Sequence, residues 1–393
     1  MRIYLDHNAT TPVASEVADA VATAMREQFG NPSSIHAFGQ SAKTALDQAR
    51  DAVAALIGAS PAEVVFTGGG TEGDNLALRG VAGMPAMAGR RQIVISAIEH
   101  EAVRHTAQAL GKAGWQVDEV PVGSRGVVEP DNLRRLVGAN TALVSVMHAN
   151  NEVGTIQPIA VAAGIAHDAG ALFHTDAVQS VGKIPVDVGT LGVDMLTLSG
   201  HKFGGPKGVG VIWIRRGLAL SPMLTGGRQE RGRRPGTENV PGLVGLGVAA
   251  SLAREQHLPA GDRIARMRDR LEHGILERIS GTVVNGAPDA RVPNTSSISF
   301  EGVEGESLVI GLDLEGVAVS TGSACSSGTL EPSHVLRALG LPPSRVQSAI
   351  RFSLGPSTTE ADIDQVLDAL SRAVGRLRLR GDSRLRLRTA PRA

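Results

Sequence analysis

The residues able to do chemistry stand just after short apolar runs. Lys202 lies in SGHKFGGPKG, directly behind the run MLTLS. The chain has five lysines against 34 arginines, so a lysine kept in a polar glycine loop is conspicuous. An amine of lowered pKa can form a Schiff base with a carbonyl, and a guanidinium cannot. Asp176 follows ALFHT, with Gln179 three residues on. A buried aspartate there can pair with the protonated ring nitrogen of a pyridine cofactor, although aspartates also cap strand ends. His100 closes SAIEH, where an imidazole can pack on a ring, carry a proton near neutral pH, or simply cap a helix. Gly70 and Thr71 sit in GGGTEGDN, a glycine turn opening a helix, and free N–H groups in such a turn suit a phosphate. The turn lacks both the GK[ST] ending of a nucleotide P-loop and the spacing of a dinucleotide fingerprint, so on its own it is a weak signal, and many glycine turns are merely turns. Asn150 and Asn151 follow another strand end. Arg351, in SAIRFSLG, can clamp a carboxylate through two N–H groups or serve as a surface ion pair.

Cys325 is the only cysteine among 393 residues. That count excludes an intrachain disulfide and a cysteine-rich metal site. Its surroundings, STGSACSSGTLEP, have the composition of a loop. A thiol placed there is either an exposed liability or a nucleophile. The wider composition, 42% hydrophobic and 20% charged, is that of a folded soluble chain. Lys+Arg and Asp+Glu both total 39, so no net charge favours nucleic acid. Aromatic residues, at 3%, are too few to suggest base-stacking platforms. The opening MRIYLDHNATTP lacks the apolar stretch of a signal peptide, and no long apolar run suggests a membrane span. A cytoplasmic setting is the expectation.

These residues need a scaffold, and the sequence supplies an alternating one. Helical spacing marks 15–28 and 40–57. EVVFTGGGTEGDNLALRG gives a strand, a glycine turn and a helix from Thr71, and RQIVISAIEHEAV repeats the pattern, with a helix from Glu101. WQVDEVPV, TALVSV, ALFHT, MLTLS and GVGVIWIRR read as further strands, with NLRRLV and 158–169 as helices. The rhythm predicts an α/β domain with a mostly parallel sheet, whose polar residues gather past the strand ends where open sheets bind ligands. Near 260, at HLPAGD, the texture changes. DRIARMRDRLEHGILERI reads as an amphipathic helix, NTSSISFEG as a strand, and ADIDQVLDALSRAV as a last helix. The tail RLRLRGDSRLRLRTAPRA carries seven arginines. It reads as a solvated terminus, a contact for an anionic partner, or a fringe strand.

Taken in order, YLDHNATTP, TGGGTEGDN, SAIEHEAV, MHANNEVGTIQP, HTDAVQ, LSGHKFGGPKGVG, GGRQERGRRPGTENV and GSACSSGTLEPSHVLRALG resemble the pyridoxal-phosphate-dependent cysteine desulfurases, in the class V aminotransferase fold group. The resemblance spans nearly the whole chain. It implies the type I fold of PLP-dependent transferases: a large domain on a mostly parallel seven-stranded sheet and a smaller α+β C-terminal domain. It also places the first dozen residues with the small domain. The expected division is therefore 13–260 for the large domain, 1–12 with 261–375 for the small one, and 376–393 as an arginine-rich tail.

By the same resemblance Lys202 is the lysine that holds the cofactor covalently. Asp176 pairs with the ring nitrogen, Gln179 with the ring hydroxyl, and His100 stacks on the ring. Gly70, Thr71, Ser199 and His201 hold the phosphate, with Thr237 contributed by a neighbouring subunit. Asn151 lies near cofactor and substrate, Arg351 binds the substrate carboxylate, and Cys325 accepts the sulfur. The longer loop around Cys325 is similar to that of the IscS- and NifS-like group. The implied reaction takes L-cysteine to L-alanine in a homodimer, with pyridoxal 5′-phosphate as cofactor and no metal. An iron–sulfur scaffold or sulfur-relay protein is implied as acceptor, serving cluster assembly or tRNA thiolation, without direct nucleic-acid binding. The neighbouring expectation is a selenocysteine lyase or another class V aminotransferase or lyase.

Overall fold

The computed structural model describes residues 2–322 and 332–389, with side chains as far as Leu379. In chain order its strands are β1 Ile3–Tyr4, β2 Val64–Thr67, β3 Gln92–Ser96, β4 Gln116–Val120, β5 Thr141–Ser145, β6 Leu172–Asp176, β7 Met195–Ser199, β8 Gly210–Ile214, β9 Thr282–Asn285, β10 Thr295–Phe300, β11 Val317–Ala318 and β12 Ala349–Ser353. Seven of them form one sheet in the order β2-β8-β7-β6-β5-β3-β4. Only β8 runs antiparallel to its neighbours β2 and β7. The other pairs are parallel.

Helices cover both faces, which is why β2, β3, β5, β7 and β8 read as near-continuous apolar runs and are buried throughout. Side chains still alternate. Val94, Val144, Phe173 and Leu196 face one core, shared with helices Ala37–Leu56 and Ile159–Asp168. Ile93, Ile95, Leu143 and Met195 face the other, shared with Gly70–Ala82 and Glu101–Lys112. The edge strand β4 is half open to solvent, and its sequence QVDEV is correspondingly polar.

The helix Val240–Leu252 has no counterpart in the sequence reading. Its sequence, VPGLVGLGVAASL, is apolar on every side, so no polar face marks a helical period. It is buried against Ala37–Leu56 and Ser15–Glu27, and glycines allow the approach. A Cβ on Gly247 would lie 2.7 Å from the Cα of Ala49.

A second core gathers Leu271, Ile298, Phe300, Leu312, Phe352 and Leu370 around the antiparallel sheet β12-β10-β9. Ile3 and Leu5 belong to it. β1 pairs with β11, and the His7 amide donates to the Ser353 carbonyl at 3.1 Å. The last helix, Glu360–Thr389, carries most of the arginine-rich stretch, which is neither a fringe strand nor a loose end up to Thr389. Leucine and arginine are good helix formers. Arg372 and Arg376 also both reach Glu315, at 2.8 and 2.7 Å. Among the described residues no helix is long and apolar enough to cross a membrane.

Gly247→Val would drive a branched side chain into Ala49. The expected cost is about 1–3 kcal/mol, read as an earlier denaturant-unfolding midpoint.

Candidate active site

The parallel strands of the large sheet deliver their carboxyl ends to one edge, and the loops that follow carry the candidate residues. Ser199 ends β7 and the short 3-10 turn Gly200–Lys202 follows at once. Lys202 Nζ donates to the carbonyls of Asn8, at 2.7 Å, and Ala9, at 2.9 Å. The segment after β1 is thus laid across this loop. Thr11 donates from its amide and its hydroxyl to the His201 carbonyl, and its hydroxyl accepts from Gly204.

Asn8 is the hub of that crossing, and the sequence reading passed over it. Its backbone carbonyl also accepts from Gln179 Nε2 at 2.9 Å. Its side-chain oxygen accepts from Lys183 at 2.8 Å and from Asn294 at 3.0 Å. Its side-chain nitrogen donates to the Asn151 carbonyl and to Thr295 Oγ1. One asparagine therefore ties the loops after β5, β6 and β7 to β10.

Beneath this strap lie buried ionisable groups. Asp176 ends β6, and one of its oxygens accepts from the Val178 amide at 2.9 Å. Asp74, inside the glycine-turn motif but unremarked in the sequence, faces it from the helix Gly70–Ala82. Asp74, Asp176 and His100 bring their polar atoms within 4.8 Å of one another. Burial raises the Asp74 carboxyl well above the usual range, and the charge of Asp176 raises it further. Burial also raises Asp176, while His100 and Lys202 act the other way. Two carboxyls so placed cannot both ionise. We assign the proton to Asp74 and the charge to Asp176, which accepts from the Val178 amide and has Lys202 and the His100 ring beside it. One Asp74 oxygen has no hydrogen-bond partner. Behind the pair, burial pushes the His174 imidazole down to about 3, so it is neutral. Its ring nitrogens lie 2.9 Å from Ser145 Oγ and 3.0 Å from Thr197 Oγ1. His100 caps the helix Glu101–Lys112, and its Nδ1 accepts from the Ala102 amide at 3.1 Å. That bond places the proton of a neutral ring on Nε2.

The glycine turn lies beside Ser199. Gly69, at φ 148°, has a conformation that disfavours any side chain, and it precedes the helix without a side-chain cap. Gly68–Thr71, Ser199 and His201 line a cavity of about 570 Å³ together with Lys207. Glu72, in the first helical turn, would oppose an anion, but Arg234 pairs with it at 2.9 Å. The loop carrying Arg234 is held by a buried ion pair: Arg50 contacts both oxygens of Glu230, which sits in left-handed backbone at φ 46°. Thr237, a few residues further on, is exposed and does not line this cavity.

Arg351, on β12, is buried. It donates to Asp6 at 2.6 Å and to the Asn151 carbonyl at 3.0 Å, and its Nε has no partner. Cys325 lies outside the described residues, but its flanks do not. Gly322 packs on Glu152, and Ser333 donates to Glu152 at 2.6 Å. His334 donates to the Glu99 carbonyl at 3.0 Å. The flank after the cysteine-bearing segment is therefore bonded to the loops that carry Asn151 and His100, and the flank before it lies against Glu152.

Residues 3–366 match the aminotransferase class-V family. A protein of Gluconacetobacter diazotrophicus named cysteine desulfurase is 49% identical, over 96% of this chain and 94% of its own length. A solved NifS-like protein is 40% identical with a TM-score of 0.89, covering 95% of this chain and all of that one. Another, described as SspA in complex with cysteine, is 34% identical with a TM-score of 0.80, over 91% of this chain and all of that one. The chain belongs to the class V aminotransferase family, on the type I fold of PLP-dependent transferases. Within that family its likeness is to the cysteine desulfurases, whose cofactor is pyridoxal 5′-phosphate.

The site fits that cofactor. A protonated ring nitrogen would supply the cation that the buried Asp176–Asp74 pair calls for. The uncapped helix start beside Ser199 and His201 suits a phosphate, and Lys202 is within the same set of loops.

Glu99 offers a separate test of the buried charge. Burial raises its carboxyl to about 8, although Ser96 Oγ and the Met147 amide donate to it. The folded state holds this proton more tightly than the unfolded chain does, so stability falls as pH rises from the ordinary glutamate range towards 8. Glu99→Gln should flatten that fall, giving an apo protein with a higher Tm than wild type at pH 8 and a smaller difference at pH 5.

Proposed function

We propose that the chain is a PLP-dependent cysteine desulfurase of the NifS- and IscS-like group. It takes L-cysteine to L-alanine and leaves the sulfur as a persulfide on Cys325. The observation carrying this reading is the convergence of Lys202, Asp176, Gln179 and His100 under the Asn8 strap, beside an anion-suited helix start. The bound cofactor supplies a carbonyl for the substrate amine and a ring that takes up electrons from Cα.

The chain's own residues do the rest. Asp176, kept ionised while Asp74 holds the proton, maintains a proton on the ring nitrogen. Gln179 donates to the ring hydroxyl, and His100 packs on the ring with Nε2–H available for proton transfer. Gly70, Thr71, Ser199 and His201 hold the phosphate. Arg351 and Asn151 fix the substrate carboxylate, Arg351 trading part of its contact with Asp6 for it. The Lys202 amine, once released, removes the Cα proton. The Cys325 thiolate then attacks the substrate sulfur. An S–S bond forms as the Cβ–S bond breaks, the carbon keeps the electron pair and takes a proton to become the methyl of alanine, and Lys202 returns a proton to Cα. No outside oxidant is needed. The described residues just past the cysteine-bearing segment, Ser333 and His334, are bonded to Glu152 and Glu99, next to Asn151 and His100, which supports this reading.

The division proposed for the chain is 13–260, 1–12 with 261–375, and 376–393. The second core, which includes Ile3 and Leu5, supports it. A homodimer is supported by an exposed apolar cluster: Ile35 is 94% exposed, and Met25, Phe29 and Phe38 lie near it in sequence, the two phenylalanine rings in contact. Thr237 would then serve the partner's phosphate site. An iron–sulfur scaffold or sulfur-relay protein is proposed as acceptor, for cluster assembly or tRNA thiolation. A persulfide carrier with one thiol suits a reducing cytoplasm.

Cys325→Ser tests the reading. The variant should keep the cofactor's absorbance yet lose alanine formation and sulfur transfer from L-cysteine. Alanine released at the wild-type rate, with free sulfide, would contradict the role of Cys325.

A further inference from the structure

Of the five lysines in the chain, three line two cavities beside the loop after β7: Lys183 and Lys202 one, Lys207 the other. Lys183 has no part in the chemistry above. It lies four residues past Gln179, with its amine enclosed between the loop after β6 and the strap after β1. Nζ donates to Gln179 Oε1 at 2.5 Å and to Asn8 Oδ1 at 2.8 Å.

Both acceptors are side-chain amides, and an amide turned over presents N–H groups where its oxygen had been. Burial, with the charges of Lys202 and Arg351, holds the Lys183 amine well below the usual lysine range, and because its N–H groups are directed at both oxygens it selects one orientation of each amide. With Gln179 Oε1 held by Lys183, its NH2 group is left to face inwards, where it donates to the Asn8 carbonyl. That carbonyl is the one Lys202 also uses. Gln179, Asn8 and Lys202 are thus set in one arrangement by a group that stands behind all three. Arginine, with a planar fork, does not reproduce two bonds from a single point. A lysine kept in so arginine-rich a chain is consistent with that demand.

We infer that Lys183 is a positioning residue: it fixes the Gln179 amide with its NH2 towards the cofactor hydroxyl and holds the Asn8 carbonyl on Lys202. The inference rests on the desulfurase reading and assigns Lys183 no contact with substrate or cofactor. Losing it frees Gln179 to turn and weakens donation to the hydroxyl. Negative charge left on that oxygen then raises the proton affinity of the nitrogen linking Lys202 to the cofactor. The charged and titratable groups around Lys183 are His7 on the strap, Lys202 after β7, and Arg351 on β12 with Asp6 against it. Asp176 stands at the end of β6, near Lys202. Removing Lys183 also lifts its repulsion of Lys202, which acts in the same direction.

The test titrates the cofactor absorbance band of the full-length holoenzyme against pH in wild type, Lys183→Met, Gln179→Leu and the double variant. Lys183→Met should raise the midpoint by about one pH unit and lower kcat by about tenfold, with KM for L-cysteine little changed. Gln179→Leu should shift the midpoint the same way, and the double variant should shift less than the sum. Apo-protein melting checks that each variant folds. If Lys183→Met does not fold, Lys183→Gln, which keeps one donor group, should give a smaller shift of the same sign. An unmoved midpoint in a folded Lys183 variant, or shifts that add in full, overturns the inference alone. A wild-type protein that shows no cofactor band with added pyridoxal phosphate overturns the desulfurase reading and this inference with it.

Discussion

Asp74 and Asp176 meet in a dry space at the carboxyl ends of β6 and β7, and only one of them can carry charge. Most of the surrounding construction answers that constraint. Thr197, the Val178 amide, His100 and Lys202 stabilise what negative charge remains. His174, held neutral behind them, fills space with polar contacts and adds no charge. A bound cation at Asp176 would complete the arrangement, and in the proposed reading the protonated ring of pyridoxal phosphate would be that cation. The same burial that makes the pair costly by itself would strengthen its hold on a cation, because charge interactions strengthen as water is excluded.

The strap after β1 closes this space. Its residues come from the very start of the chain, yet they pack with the second core and reach back over the loops of the large sheet. Asn8 joins both sides through six hydrogen bonds of its side chain and carbonyl. The geometry at Lys202 therefore depends on how the two cores sit together, and not on the large sheet alone. Ser333 and His334, just past the cysteine-bearing segment, are fastened by the same logic, through Glu152 and Glu99, to loops that belong to the large sheet.

Much of this was legible in the sequence. The strands after which Lys202, His100 and Asn151 stand are fully buried, largely apolar runs, and short runs of that kind are readable without a structure. Because parallel strands end on one edge, polar residues just past them were bound to converge. What stayed hidden has physical reasons. Val240–Leu252 is apolar all round, so periodicity had nothing to mark. Asp74 and His174 look like ordinary polar residues until the fold removes their water. Asn8 and Lys183 act through contacts across more than 170 residues of chain, and local spacing carries no trace of such pairings. The arginine-rich end kept several readings open because leucine–arginine alternation fits a strand as well as a helix. The salt bridges to Glu315 that anchor its first turns are long-range.

The central claim is that this site is built to hold a carbonyl cofactor on Lys202 and on no other amine. Borohydride reduction of the holoenzyme followed by peptide mapping tests it most directly, because Lys183 and Lys207 lie close by as internal competitors. The account predicts one stable pyridoxyl adduct, on the peptide containing Lys202. An adduct mainly on Lys183 or Lys207, or none under conditions that saturate the protein with pyridoxal phosphate, would contradict it.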